Sequence, residues 1–134
     1  MPSDLVFVTG ATGFIGSHVT RELAAHGYRV RALVRREGAT VDGAQTVAGD
    51  MRRPGELASA MRGCRYLVHC AALYSFAPRD RRLMSEVNVA GTEGLLEAAR
   101  VAGVERAVVT SSGSTVGPAA DGTPATETAR PRSV

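Results

Sequence analysis

"VTGATGFIGSH", residues 8–18, decides the fold. It sets Gly10, Gly13 and Gly16 three apart, and it stands where one periodicity gives way to another. Upstream, "DLVFVTG" is a continuous apolar run ending in glycine, the pattern of a central parallel strand buried on both faces. Downstream, Ile15, Val19 and Leu23 fall four apart, on one face of a helix predicted over Phe14 to His26 and ended by Gly27. Strand, glycine turn and helix in this order open a βαβ unit. Gly10 permits the tight turn, Gly13 lets the backbone approach a pyrophosphate, and Gly16 lets the helix pack close to the sheet. The free N–H groups and dipole at the helix start favour a phosphate. The glycines alone are weak evidence; the strand before and the amphipathic helix after are the context that gives them meaning.

The rest of the chain repeats the alternation. "YRVRALVRR" reads as a second strand and "AQTVAGD" as a short third. "PGELASAMRG" is a short helix with Pro54 at its start and Gly63 at its stop. "CRYLVHCAA" is a fourth strand, about Arg81 to Ala102 a long helix stopped by Gly103, and "VERAVVTSS" a fifth strand. Strands alternating with helices predict an α/β fold with a parallel sheet. Right-handed crossovers give a Rossmann-type doubly wound sheet, order 3-2-1-4-5, that stops after strand 5. The crevice between strands 1 and 4, where the winding reverses, is the expected ligand site. From Gly117 onward the sequence is rich in Pro, Ala, Thr and Gly without period, which reads as loop.

Composition narrows the function. The chain has 134 residues, 44% hydrophobic, enough for one domain with a core. No apolar run approaches the roughly 18 to 20 residues of a membrane span. The start carries no basic n-region or cleavage site, and Cys64 and Cys70 lack metal-type pairing, so we expect a cytoplasmic protein with free thiols and no metal. The net charge is +3, every basic residue is arginine, and aromatic residues make up 4%. With so little to stack bases, nucleic-acid binding is not expected.

Individual residues suggest chemistry. Arg35 ends strand 2, where NAD-binding proteins usually place an acid for the ribose 2′-hydroxyl. A guanidinium there pairs bidentately with a 2′-phosphate, which favours NADP, with NAD the second choice. Arg36 is the neighbouring candidate, and Glu37 would blunt the preference. Asp50 also reads as a helix cap before "PGELASAM". His69, a single histidine in an apolar strand, reads as a packed core residue, and Cys70 as a small buried hydrophobe. Adjacent in a strand, they point to opposite faces and form no dyad. The strand-5 end, "VVTSSGSTVGP" at 108–118, gathers hydroxyls that suit a substrate oxygen or merely cap a turn.

Several blocks together resemble the extended short-chain dehydrogenase/reductases, the NAD-dependent epimerase/dehydratase family. They are "TGATGFIG", "AGDMRRP", "HCAALYSF" and "NVAGTEGLLEAARVAGVERAVVTSS", in family order over nearly the whole chain. Within the family the look is that of dihydroflavonol-reductase-like and hopanoid-associated sugar-epimerase members. The resemblance implies a cofactor site of Gly10, Thr12, Gly13, Phe14, Ile15 and Gly16, with Arg35 beyond. Asp50 and Met51 resemble the pair that takes the adenine, and Ala71 and Ala72 the strand end that leaves room for the cofactor. Asn88 resembles the asparagine that orders the active site. Tyr74 and Phe76 would border the substrate. Ser112, with Ser111 and Ser114 as near alternatives, resembles the serine that positions the substrate oxygen.

The family's serine works with a Tyr-x-x-x-Lys pair, in which a positive charge lowers the tyrosine pKa. This sequence has no lysine, and its tyrosines, Tyr28, Tyr66 and Tyr74, precede the serines. The resemblance therefore implies an N-terminal part: residues 1–117 an incomplete NAD(P)-binding domain, 118–134 a loop or disordered tail leading to an absent C-terminal part. The expected function is that of an NADP-dependent oxidoreductase or epimerase acting on a carbonyl or carbinol of a sugar or polyketide-like small molecule. The alternative is a non-catalytic module that binds or senses NADP(H). In either case strand 5 is an exposed edge, through which homo-oligomers or looser association are expected.

Overall fold

In a computed structural model, residues 4–119 and 121–129 are described. Residues 1–3, together with 120 and 130–134 of the expected tail, lie outside the described residues. Five parallel strands form one sheet in the order β3-β2-β1-β4-β5, as the alternation predicts. They are β1 (Leu5–Thr9), β2 (Arg29–Val34), β3 (Gln45–Ala48), β4 (Tyr66–His69) and β5 (Arg106–Val109). Val6 of β1 stands beside Val30 of β2 on one side and Tyr66 of β4 on the other.

Because side chains alternate along a strand, β1 feeds two cores. Leu5 and Phe7 pack with Leu33, Leu67 and the inner faces of α2 (Pro54–Ala60) and α4 (Gly91–Ala102), through Leu57, Leu95, Ala98 and Ala99. Val6 and Val8 pack with Val30 and Ala32 on the opposite face, under Leu23 of α1 (Phe14–Ala25). All five residues of β1 are buried, as expected for the middle strand. All four of β5 are exposed, so the sheet has an open edge there.

Two helices differ from the sequence reading. Of the α1 stripe Ile15, Val19 and Leu23, only Leu23 packs against the sheet core. The buried residues of α1 are Gly16 and Thr20, whereas Ile15 is 58% exposed. The closest approach is set by the residue with no side chain: a Cβ on Gly16 would lie 2.5 Å from the Gly10 carbonyl carbon. The apolar stripe is thereby turned aside and lines an open groove with Phe14 and Tyr28. The predicted single helix from Arg81 is α3 (Arg81–Met84), a π-helical turn at Ser85–Ala90, and then α4. Gly103 closes α4 in the left-handed conformation, φ 80°.

Candidate functional site

The C-terminal ends of β1, β2, β3 and β4 open into a crevice of about 360 Å³. Its floor is the glycine turn. Gly10 has φ 72°, and a Cβ there would lie 2.7 Å from the Ala71 nitrogen, so the turn abuts the end of β4. Gly13 N–H closes the turn on Gly10 O at 3.0 Å, and Ser17 N–H on Gly13 O, also 3.0 Å, is the first helical hydrogen bond. The N–H groups of Phe14, Ile15 and Gly16 come before that bond and have no helical acceptor. Gly13 is extended, and a Cβ on it would meet only Gly10 O, at 3.3 Å. Its missing side chain therefore leaves open crevice rather than a packing contact. A diphosphate fits this cradle: free N–H groups, a helix start and backbone that a ligand can approach.

At one end of the crevice stand Arg35, Asp50 and Arg52. Arg35 follows β2, is exposed, and makes no hydrogen bond or ion pair with any described residue. Asp50 is engaged by Arg52. The Arg52 Nη2 donates to Oδ2 at 2.7 Å, and its Nε and backbone N–H donate to Oδ1 at 3.1 and 2.9 Å. These hydrogen bonds from the Arg52 side chain and backbone bring the Asp50 pKa down to about 2. Asp50 thus folds its own turn and does not cap α2, whose N-cap residue is Arg53. Met51 is buried in the core at the same bend.

The opposite wall is the segment after β4, with Ala71, Ala72 and Leu73. Asn88, in the π turn, does not line the crevice. Its side-chain amide holds Leu73 from both sides, Nδ2 donating to Leu73 O and Oδ1 accepting Leu73 N–H, each at 2.7 Å. His69 is 3% exposed with both ring nitrogens hydrogen-bonded, and burial pushes its pKa down. Cys70 lines the crevice, and burial raises its thiol pKa. Beyond Leu73 the chain alternates: Ser75 bonds inward to Asp80 at 2.6 Å, while Tyr74 and Phe76 project outward, edge to face at 5.1 Å.

Of the residues expected at the cofactor, Gly10, Thr12, Gly13, Arg35, Asp50, Met51, Ala71 and Ala72 line this one crevice. Gly16 is packed beneath the turn, and Phe14 and Ile15 line the α1 groove rather than the crevice. Ser112 is exposed at the end of β5, bonded to Ser114 Oγ at 2.8 Å, and does not line the crevice. Sequence reasoning missed Arg52, Thr9 and Thr92. Arg52 was visible only as a basic neighbour of Asp50, and Thr9 and Thr92 only as members of the blocks "TGATGFIG" and "NVAGTEGLL", with nothing in those blocks to say what their hydroxyls hold.

Comparison with known proteins agrees with this geometry. The model of the NAD dependent epimerase/dehydratase family matches residues 6–134. "Sterol demethylase protein B" of Methylococcus capsulatus is 43% identical over 114 residues, which are 82% of this chain and 35% of that protein. A Stigmatella aurantiaca protein named "4-hydroxy-2-methyl-3-oxo-4-farnesyl-3,4-dihydroquinoline-1-oxide ketoreductase" is 40% identical over 122 residues, 88% of this chain and 35% of that one. A short-chain dehydrogenase/reductase superfamily protein from Agrobacterium tumefaciens, solved with bound NAD, superimposes with a TM-score of 0.74 at 39% identity. It covers 83% of this chain, which spans 33% of it. The chain thus spans about a third of the length of these relatives. Among the described residues, no helix is long and apolar enough to cross a membrane.

Proposed function

The chain belongs to the NAD dependent epimerase/dehydratase family, and on that premise we propose that it is the nucleotide-binding portion of an NADP-dependent oxidoreductase or epimerase. The observation that carries this reading is the crevice itself: a glycine cradle at the switch point, with the Arg35 guanidinium, unpaired among the described residues, at its rim. The N–H groups of Phe14 and Ile15 would receive the pyrophosphate. Asp50 and the Met51 backbone would take the adenine, and Arg35 the 2′-phosphate that distinguishes NADP from NAD. The bound dinucleotide supplies hydride chemistry; this chain's residues orient it and exclude water around it. The substrate would be a carbonyl or carbinol carbon of a sugar or polyketide-like small molecule. The name of the ketoreductase relative, whose substrate is a 3-oxo dihydroquinoline oxide, supports a carbonyl carbon as the reacting centre. Ser112 would position the substrate oxygen, and its tyrosine and lysine partners would come from outside residues 1–134. We further propose that β5 associates with a second copy through its open edge.

A second reading rests on one observation. No lysine occurs in this sequence, so within these residues the crevice can bind a dinucleotide without the usual proton-transfer pair. In that case the chain is a non-catalytic NADP(H)-binding module. Titration of the chain with NADPH and NADH, followed by nicotinamide fluorescence, tests the shared core of both readings. Tighter binding of NADPH supports NADP use. Equal or tighter binding of NADH refutes it, and no binding of either refutes the dinucleotide site.

A further inference from the structure

The crevice wall at residues 69–73 hangs from side chains of two other elements. Thr9, at the end of β1, accepts the Ala71 backbone N–H on Oγ1 at 3.2 Å. The same oxygen lies 2.6 Å from His69 Nδ1. On the far side of the ring, His69 Nε2 lies 2.9 Å from Thr92 Oγ1, in the first turn of α4. Thr9 is fully buried and His69 nearly so, so each polar atom needs a protein partner.

Counting protons gives this chain a direction. Thr9 Oγ1 already accepts from Ala71, and its own proton has His69 Nδ1 as acceptor. Nδ1 then carries no proton, and in a neutral imidazole the proton sits on Nε2. Nε2–H donates to Thr92 Oγ1. The other tautomer would aim two donors at Thr9 and leave the Thr9 hydroxyl proton without an acceptor, a costly arrangement in an apolar interior.

We propose that Thr92, through the tautomer of His69, is a positioning residue for the cofactor crevice. It does not line the crevice, yet by accepting Nε2–H it keeps Thr9 available to hold the Ala71 wall against the glycine turn. This rests on the reading of the crevice as a dinucleotide site.

The test uses the chain with Thr92→Val and Thr92→Ser. Its readouts are the ¹⁵N resonances of the His69 ring, amide exchange at Ala71, and NADPH titration, with thermal melting to correct for the folded fraction. Wild type should carry the His69 proton on Nε2. Thr92→Val should shift or mix the tautomers, speed Ala71 exchange about tenfold and weaken NADPH about tenfold. Thr92→Ser should restore all three. A wild-type proton on Nδ1 overturns the proposal. So does a Thr92→Val protein that melts earlier but keeps its tautomer, its exchange and its NADPH affinity, since Thr92 is then only a packing residue. Wild type that binds no dinucleotide overturns the functional reading and this proposal together, whereas wild-type binding insensitive to Thr92→Val overturns this proposal alone.

Discussion

Replacing Gly13 by alanine should separate binding from folding. Gly13 has φ −84° and ψ 176°, which any residue adopts. A methyl group there meets one atom, Gly10 O at 3.3 Å. Three small terms then compete. Alanine is a poorer N-cap than glycine, by roughly 0.5 to 1 kcal/mol. It restricts the unfolded chain, which returns about 0.4 to 1 kcal/mol. The 3.3 Å contact asks for a shift of a few tenths of an ångström. The net change in stability should stay within about 1 kcal/mol, a melting shift of about 4 °C or less for a domain of this size. The crevice has no such tolerance. The methyl would occupy the space through which a pyrophosphate reaches the helix N–H groups, and each charge-assisted hydrogen bond lost is worth about 1.5 to 3 kcal/mol. Losing one or two predicts dinucleotide affinity weaker by at least about tenfold and by about a hundredfold or more for two. Gly16→Ala is the contrast, since its Cβ would lie 2.5 Å from the Gly10 carbonyl carbon and 2.9 Å from Ala11 N, both immovable backbone. That variant should lose stability first, by several kcal/mol. Nicotinamide fluorescence and a thermal melt on the same samples decide it. A folded Gly13→Ala protein with wild-type affinity would show that the turn is only structural.

Arg35→Asp should move preference from NADPH toward NADH; an unchanged affinity ratio removes Arg35 from the 2′-phosphate site. Arg52→Ala should return the Asp50 pKa from about 2 toward the ordinary carboxylate range. The folded pKa is depressed, so the pair stabilises above the unfolded value of about 3.9 and its contribution fades as pH falls toward 2. The wild-type advantage over Arg52→Ala, read as urea midpoints, should therefore be full at pH 6 and shrink below pH 4; a constant difference across that range would place its source elsewhere. Val108, 54% exposed on the open β5 edge, should support self-association. Sedimentation velocity should show Val108→Arg less associated than wild type at equal concentration, and a wild type that stays monomeric as concentration rises counts against the edge.

The strands were legible because burial on both faces leaves a continuous apolar run, as at Leu5–Thr9, and because right-handed crossovers leave only a few orders for five parallel strands, of which the glycine turn after strand 1 favours 3-2-1-4-5. The glycine turn was legible because its work is done by backbone, and a missing side chain shows in sequence. The face of α1 was misjudged for the same physical reason seen from the other side. Periodicity ranks residues by hydrophobicity, but Gly16 wins the closest approach by having nothing to bury, and Thr20 follows it inward, satisfied by the Gly16 carbonyl at 2.9 Å. The π turn at Ser85–Ala90 was hidden because a widened turn leaves the apolar pattern of the flanking helix almost intact. Arg52 and Thr92 were hidden because their roles are side-chain geometry, one with a neighbour two positions away and one with a strand residue 23 positions away.

The two faces of the sheet are unequally covered, and that decides from which side the crevice wall is braced. Leu57 of α2 and Leu95, Ala98 and Ala99 of α4 sink fully or almost fully into one face, whereas α1 buries only Gly16 and Thr20 against the other. A wall held from α1 would inherit the looser packing. Residues 69–73 are instead held from the tighter side, His69 by Thr92 of α4 and Leu73 by Asn88 of the turn leading into it. The π turn adds to this: Asn88 reaches the wall while Gly91, three residues on, lies against Met51 beside Asp50, where a Cβ would be 3.4 Å from the Met51 side chain. One helix thus braces the wall after β4 and the bend after β3 at once. The glycine turn needs no such brace, because its Gly13–Gly10 and Ser17–Gly13 hydrogen bonds are backbone to backbone. The apolar groove on α1 can then stay open without loosening the floor on which a pyrophosphate would rest.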